Sequence, residues 1–364
     1  MEKPRRMRLL SIDGGGIRGL ASLLILKRIM DKINEDRAEA LKPHEMFDLI
    51  GGIGTGGIIA LLLGRMQMPV EEAENVFCDI LGKLFRGSHL HHEIQNLLND
   101  SDTADELIQK IHNLEKEKAE FDITPIKNYI KNLGDIGDTL LKDPTLDTSR
   151  SPCRVFVGAF HEGDDLPRIL RNYRNPRWPQ VDFDTLKVWE AACATAATTT
   201  SFTLFDGVQS DPTQKFGTAP LKWNNPVRLV HHEAQELWPD SQFLMLSVGA
   251  GGAPKGETDL EAIVKEAEKV DTEFSSDNEA MVHHLNFFRL NVMDGMDKIG
   301  PAELKHKPEL SQTVDIYLNL PTVELAIQVY IKSLIEDTRG KKFSNAFLTK
   351  LRTDKDIKIH RSYR

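Results

Sequence analysis

Two short apolar runs, each halted by a cluster of glycines and followed by a helical pattern, constrain this chain more than any other feature. Met7 to Ile12 (MRLLSI) is stopped by Asp13-Gly14-Gly15-Gly16, and apolar residues then recur at helical spacing through Leu20, Leu23, Leu24, Leu26 and Ile29. Phe47 to Ile50 (FDLI) repeats the arrangement, with glycines from Gly51 to Gly57 and an apolar helix from Ile58 to Leu63. A short apolar run bounded by turn residues reads as a strand buried on both faces. Two strand–glycine–helix units in succession predict α/β layering: a mainly parallel central sheet flanked by helices. Cys153 to Ala159 (CRVFVGA) and Phe243 to Val248 (FLMLSV) are further strand candidates.

Composition narrows the function classes. With 364 residues, 40% hydrophobic and 28% charged, the chain can bury a sizeable core. That excludes a disordered chain, a collagen-like repeat and a disulfide-stapled mini-protein. Lys and Arg number 46 against 55 Asp and Glu, a net charge of −9. Such a balance argues against nucleic acid as a partner, because that affinity rests on neutralising phosphates. Cys78, Cys153 and Cys193 form no CxxC and no Cys/His ligand pattern, so neither a disulfide framework nor a zinc site is expected. The cluster His89-Leu90-His91-His92 lacks spaced partners and reads as a loop, so no metal and no cofactor is expected. The N-terminus turns apolar only from Leu9 to Ile12, too short for a signal-peptide core. The stretch Ile58 to Leu63 is far shorter than the roughly 20 residues that span a bilayer. The expectation is a soluble, cytoplasmic protein, peripheral at membranes if anything.

One α/β domain over residues 5–340 is the preferred parse, since no repeat or low-complexity linker divides it. Within it, 101–144 has helical spacing at Leu107, Ile108, Ile111 and Leu114 and a charged run Glu115-Lys116-Glu117-Lys118. It reads as a solvated helical layer, or as a cap over a cleft. The tail 341–364 carries eight Lys/Arg against two Asp among apolar residues. It is either solvated surface or a contact for anionic lipid.

Chemistry concentrates in the glycine turns. Gly14-x-Gly16-x-x-Gly19 and Gly52-x-Gly54-x-x-Gly57 both match the dinucleotide pattern, but a dinucleotide site uses one such turn, and no acidic residue follows at the required place. Neither has the lysine of a triphosphate loop. The alternative is one anion-friendly cleft lined by both turns, where backbone N–H groups at helix N-termini stabilise an oxyanion during acyl transfer. Gly52-Ile53-Gly54-Thr55-Gly56 has the shape of a G-x-S-x-G nucleophile elbow, with Gly54 at the serine position.

At these residues the sequence resembles the patatin-like phospholipases, most of all the fungal single-domain members. Asp13-Gly14-Gly15-Gly16-Ile17-Arg18-Gly19 resembles the family's D-G-G-G-x-R-G oxyanion loop, and Phe47 through Ala60 resembles its elbow. The likeness continues in Trp189-Glu190-Ala191-Ala192 and the small residues through Thr200, in Leu221 to Pro226, in Ser247 to Gly251, and in Leu285 to Val292. It implies a three-layer patatin-like α/β fold and a Ser–Asp dyad that hydrolyses lipid acyl esters. Residue by residue, it places the oxyanion loop on Gly14, Gly15, Gly16 and Arg18, the nucleophile on Gly54 and the partner aspartate on Thr218. Thr55, Gly56 and Asp206 would then adjoin the substrate.

Both dyad positions therefore carry residues that cannot do the family's chemistry. Thr218 has no carboxylate, and Asp206 stands about a dozen residues early to replace it. His161, after a strand candidate, is the histidine best placed to reach a cleft. Three readings follow. The first is non-covalent acyl chemistry on a small-molecule or carrier-bound acyl substrate, such as lactonising release of an activated polyketide chain as a pyrone. The second is a non-catalytic acyl-chain binder. The third is a hydrolase working through an unexpected residue. A conventional Ser–Asp phospholipase is not expected.

Overall fold

The computed structural model describes residues 6–35, 37–86, 124–142, 153–161, 166–175, 185–197, 216–217, 223–252, 258–296, 299 and 306–339. The sequence expectations at 101–123, at His89 to His92, at Asp206 and Thr218, and in the tail 341–364 lie outside the described residues.

Seven strands are described: β1 (Met7–Ile12), β2 (Leu49–Ile53), β3 (Arg154–His161), β4 (Arg168–Arg171), β5 (Phe216–Gly217), β6 (Phe243–Val248) and β7 (Phe287–Leu290). They run in the order β4-β3-β2-β1-β6-β7, with β5 paired to the far end of β3. β3, β2, β1, β6 and β7 are parallel, whereas β4 and β5 are antiparallel to β3. β1 sits at the centre with every residue from Arg8 to Ile12 buried, as its unbroken apolar run requires.

Successive side chains point to opposite faces of a strand, and the two faces collect different helices. Leu10, Ile12, Ile50, Val155, Val157, Leu246 and Val248 pack into the larger core. It is covered by α1 (Gly19–Asn34), α3 (Thr55–Ala60), α4 (Val70–Arg86), α5 (Thr124–Lys131), α6 (Val188–Ala196), α10 (Lys307–Leu318) and α11 (Pro321–Arg339); a short α2 is Pro43–Met46. Leu9, Leu49, Phe156, Met245 and Phe287 face the other way, against α7 (Val227–Leu237) and α8 (Thr258–Asp277), with a short α9 at Glu279–His283. This is a three-layer α/β fold.

The described part of 101–144 is built into the larger core. Ile126, Ile130 and Leu141 are buried there. Arg65, in the π-helical turn Leu61–Arg65 that follows α3, donates from Nε to the Leu141 carbonyl at 2.9 Å and from Nη2 to the Leu140 carbonyl at 2.7 Å.

Glycine decides how close the central elements come. α3 packs directly beneath the end of β1, and a Cβ on Gly56 would overlap the carbonyl oxygens of Ile12 and Asp13. Gly56→Ala therefore forces β1 and α3 apart, and we expect a loss of about 3 kcal/mol or failure to fold. Ile316→Ala, on a side chain 63% exposed, is expected to stay within about 0.5 kcal/mol of the wild type. Urea denaturation of the two variants beside the wild type measures both.

Candidate active site

The second glycine turn has the backbone of a nucleophile elbow. β2 ends at Ile53, Gly54 takes φ 60° and ψ −131°, and α3 begins at Thr55. That conformation is strained for any residue with a side chain, and glycine adopts it freely. The Gly54 N–H donates to Thr195 Oγ1 at 3.0 Å, and the same hydroxyl donates to the Gly158 carbonyl at 2.8 Å. Thr195, near the end of α6, thus ties the elbow to β3. Nothing in the small-residue run around it marks its role beforehand.

The first turn folds against the second, so the two glycine motifs do share one place. Gly15 N–H donates to Thr55 Oγ1 at 3.2 Å. Gly14 is clamped by Asn224: its N–H donates to the Asn224 carbonyl at 3.1 Å, and Asn224 Nδ2 donates to the Gly14 carbonyl at 2.9 Å. These bonds qualify the expectation that the loop presents its N–H groups to a ligand, because those of Gly14 and Gly15 already have internal acceptors. The N–H groups of Gly16 and Thr55, the first residues of the helical turns that follow the two glycine motifs, have no partner among the described residues. Arg18 is buried, and its guanidinium donates to the Gly252 carbonyl, pinning the loop to the segment after β6. Thr55 is buried as well, and its hydroxyl serves Gly15. Gly56 is a packing contact under β1. His161 is the last residue of β3, and its backbone pairs with Phe216; its side chain is outside the described set, as are Thr218 and Asp206.

A buried charge cluster stands directly behind the loop. Arg289 on β7 donates to Asp13 Oδ1 at 3.1 Å and Oδ2 at 2.7 Å, to Ser247 Oγ at 2.9 Å and to Glu268 Oε1 at 2.8 Å. Asp271, one turn along α8 from Glu268, places Oδ1 3.8 Å from Arg289 Nε without a hydrogen bond. One guanidinium therefore serves three carboxylates. Burial pushes Asp13 up to about 6 against the pull of Arg289, and Asp271 up to about 7. Burial opposes the charge on Glu268 too, but Arg289 and Asn291 hold it below its ordinary value. The one early signal was a charged residue inside the apolar run LNFFRLNV, since arginine is almost never fully buried unless paired.

Among the described residues no group of three His, Cys, Asp or Glu side chains is placed to hold a metal ion. No described helix is long and apolar enough to cross a membrane.

Removing Arg289 would leave its carboxylates buried without a counter-charge. Arg289→Met is expected to lower stability by about 3–5 kcal/mol. A shift of less than about 1 kcal/mol in urea denaturation would show that the cluster contributes little.

With this geometry in place, comparisons with known proteins agree. The mouse (Mus musculus) protein named calcium-independent phospholipase A2-gamma is 28% identical over 261 residues, covering 68% of this chain and 29% of its own length. Phospholipase A I of Arabidopsis thaliana is 26% identical over 386 residues, covering 90% of this chain and 27% of its own. The cGAMP-activated phospholipase of Vibrio cholerae is 26% identical over 229 residues, covering 63% and 58%. The chain thus spans less than two thirds of these relatives, and under a third of the first two. A family model described as patatin-like phospholipase matches residues 10–226, more than half of the chain. The protein belongs to the patatin-like phospholipase family.

Proposed function

We propose that this chain binds an activated acyl group at the Gly54 elbow and promotes acyl transfer without forming an acyl-enzyme. The observation that carries the proposal is the elbow itself. Its backbone turn at φ 60° is kept, but the residue at its apex has no side chain to attack a carbonyl. An ester or thioester carbonyl seated there would find the N–H groups of Gly16 and Thr55 nearby as donors to a developing oxyanion.

The nucleophile then belongs to the substrate. An enol or hydroxyl oxygen further along the acyl chain attacks the thioester carbon and forms a ring C–O bond. The C–S bond breaks, and the proton lost by the oxygen passes to the departing thiolate. Folding a chain into such an attack pose, with its oxyanion held, supplies acceleration without covalent catalysis. A pyrone-forming, lactonising release of a carrier- or CoA-bound polyketide fits these requirements. The basic segment 341–364 would serve as the contact for anionic lipid.

A second reading has its own observation. The N–H groups of Gly14 and Gly15 are satisfied internally, which leaves fewer donors than a full oxyanion loop and favours an acyl-chain binder that does not turn over.

Incubation with a β,δ-diketo acyl thioester separates the readings. Cyclising release about 100-fold faster than buffer, the range that oxyanion donors supply, is the expected result. Saturable binding with release at the buffer rate would establish the binder instead. Gly54→Ser alone is expected to leave ester hydrolysis at background, because Thr218 gives the new hydroxyl no carboxylate partner. Hydrolysis by the wild type would overturn both readings and point to Asp206 or His161.

A further inference from the structure

Three carboxylates behind the glycine loop, Asp13, Glu268 and Asp271, share the Arg289 guanidinium, and Asp271 Oδ1 is left without a hydrogen bond. A small pocket with room for about one water molecule adjoins this cluster, lined by Asp13, Gly14, Arg18, Asn224, Glu268 and Asn291 among others. The groups that face one another come from every element packed there. Asp13 directly follows β1, Arg289 lies on β7 with Asn291 just beyond it, and Ser247 lies on β6. Glu268 and Asp271 are on α8, while Arg18, bound to the Gly252 carbonyl, and Asn224 close the loop side.

We propose that Asp13, Asp271, Glu268 and Arg289 form a proton-operated latch on the Gly14–Gly16 loop, closed when the surplus carboxyls hold protons and loosened when they release them. The geometry gives the cluster two distinct charge states. With Asp13 and Asp271 protonated, Glu268 balances Arg289 and the buried cluster is neutral. With both ionised it holds a net charge of −2, and Asp271 Oδ1 has no hydrogen bond to stabilise it. Asp13 runs straight into Gly14, so repulsion on its carboxylate is passed directly to the loop. The latch holds whether or not the elbow turns over an acyl group, so it stands apart from the proposed function.

The direction with pH follows from the two raised carboxyls. Their protons are bound more tightly in the closed state than in an open, solvated one, so closure is favoured at low pH. That advantage drains away as pH rises from the ordinary aspartate range through about 6 and about 7, and it is gone above.

Hydrogen-exchange protection factors for the Gly14 and Gly15 amides, which divide out the intrinsic pH dependence of exchange, read the latch. In the wild type they should fall about tenfold between about pH 6 and about pH 7, the slope for one released proton, and level off above. In Asp271→Asn, whose side chain is neutral at every pH, that fall should shrink to the share Asp13 supplies alone, about twofold. Asp277→Asn, exposed on the same helix and paired with Arg228 at 2.7 Å, should behave as the wild type. Protection that is flat in the wild type, or that falls equally in Asp271→Asn, overturns the latch. If Asp271→Asn does not fold, carbon-13 titration of the wild-type aspartate carboxyls decides. Two midpoints between about 6 and about 7 support the latch, and every aspartate titrating in its ordinary range near 4 overturns it.

Discussion

The structure around Gly54 depends on two backbones passing closer than side chains allow. The end of β1 lies on the start of α3 because Gly56 has no Cβ to strike the carbonyls of Ile12 and Asp13. That contact brings the two glycine turns together and puts the Thr55 hydroxyl within reach of the Gly15 N–H. It also aims the end of β1, and with it Asp13, at the opposite side of the sheet. One steric fact thus places the elbow, the loop and the charge cluster in register.

The cluster explains how that arrangement survives burial. Asp13 is 1% exposed and would be costly to hold there unpaired. Arg289 gives it a two-pronged bond and reaches Glu268 and Ser247 at once, so β1, β6, β7 and α8 meet on a single guanidinium. A comparable pair on the same side of the sheet, Arg171 with Glu233, is fully satisfied by Tyr173 and Asn175. The contrast is informative. The satisfied pair joins β4 to α7 as structure, while the unsatisfied cluster adjoins a small pocket and the candidate site.

Local pattern carried the architecture well. β1 and β6 have the limits that their apolar runs suggested, and the three layers follow from parallel strands buried on both faces. Pattern reading erred at β2. Gly51 and Gly52 look like turn residues, yet the strand runs on through them to Ile53, and only Gly54 turns the chain. Glycine there answers a demand for space from neighbouring elements, and that demand is invisible in a single stretch of sequence. Glu268, Asp271 and Thr195 were illegible for the same reason, and Arg289 showed only as a charge within an apolar run. Each acts on residues far away in the chain, and no local spacing encodes a meeting of four separate elements.

The elbow raises a last point about what holds a strained turn. Where a serine occupies such a position, the strain persists because surrounding structure over-determines it, and chemistry is the benefit. Here glycine removes the strain and the nucleophile together, and the turn is still present at φ 60°. Its geometry is therefore imposed from outside the residue: by Thr195 on the Gly54 N–H, by the close seat of Gly56, and by the Gly15 bond to Thr55. A scaffold of this kind can lose its attacking group without losing the shape of its site.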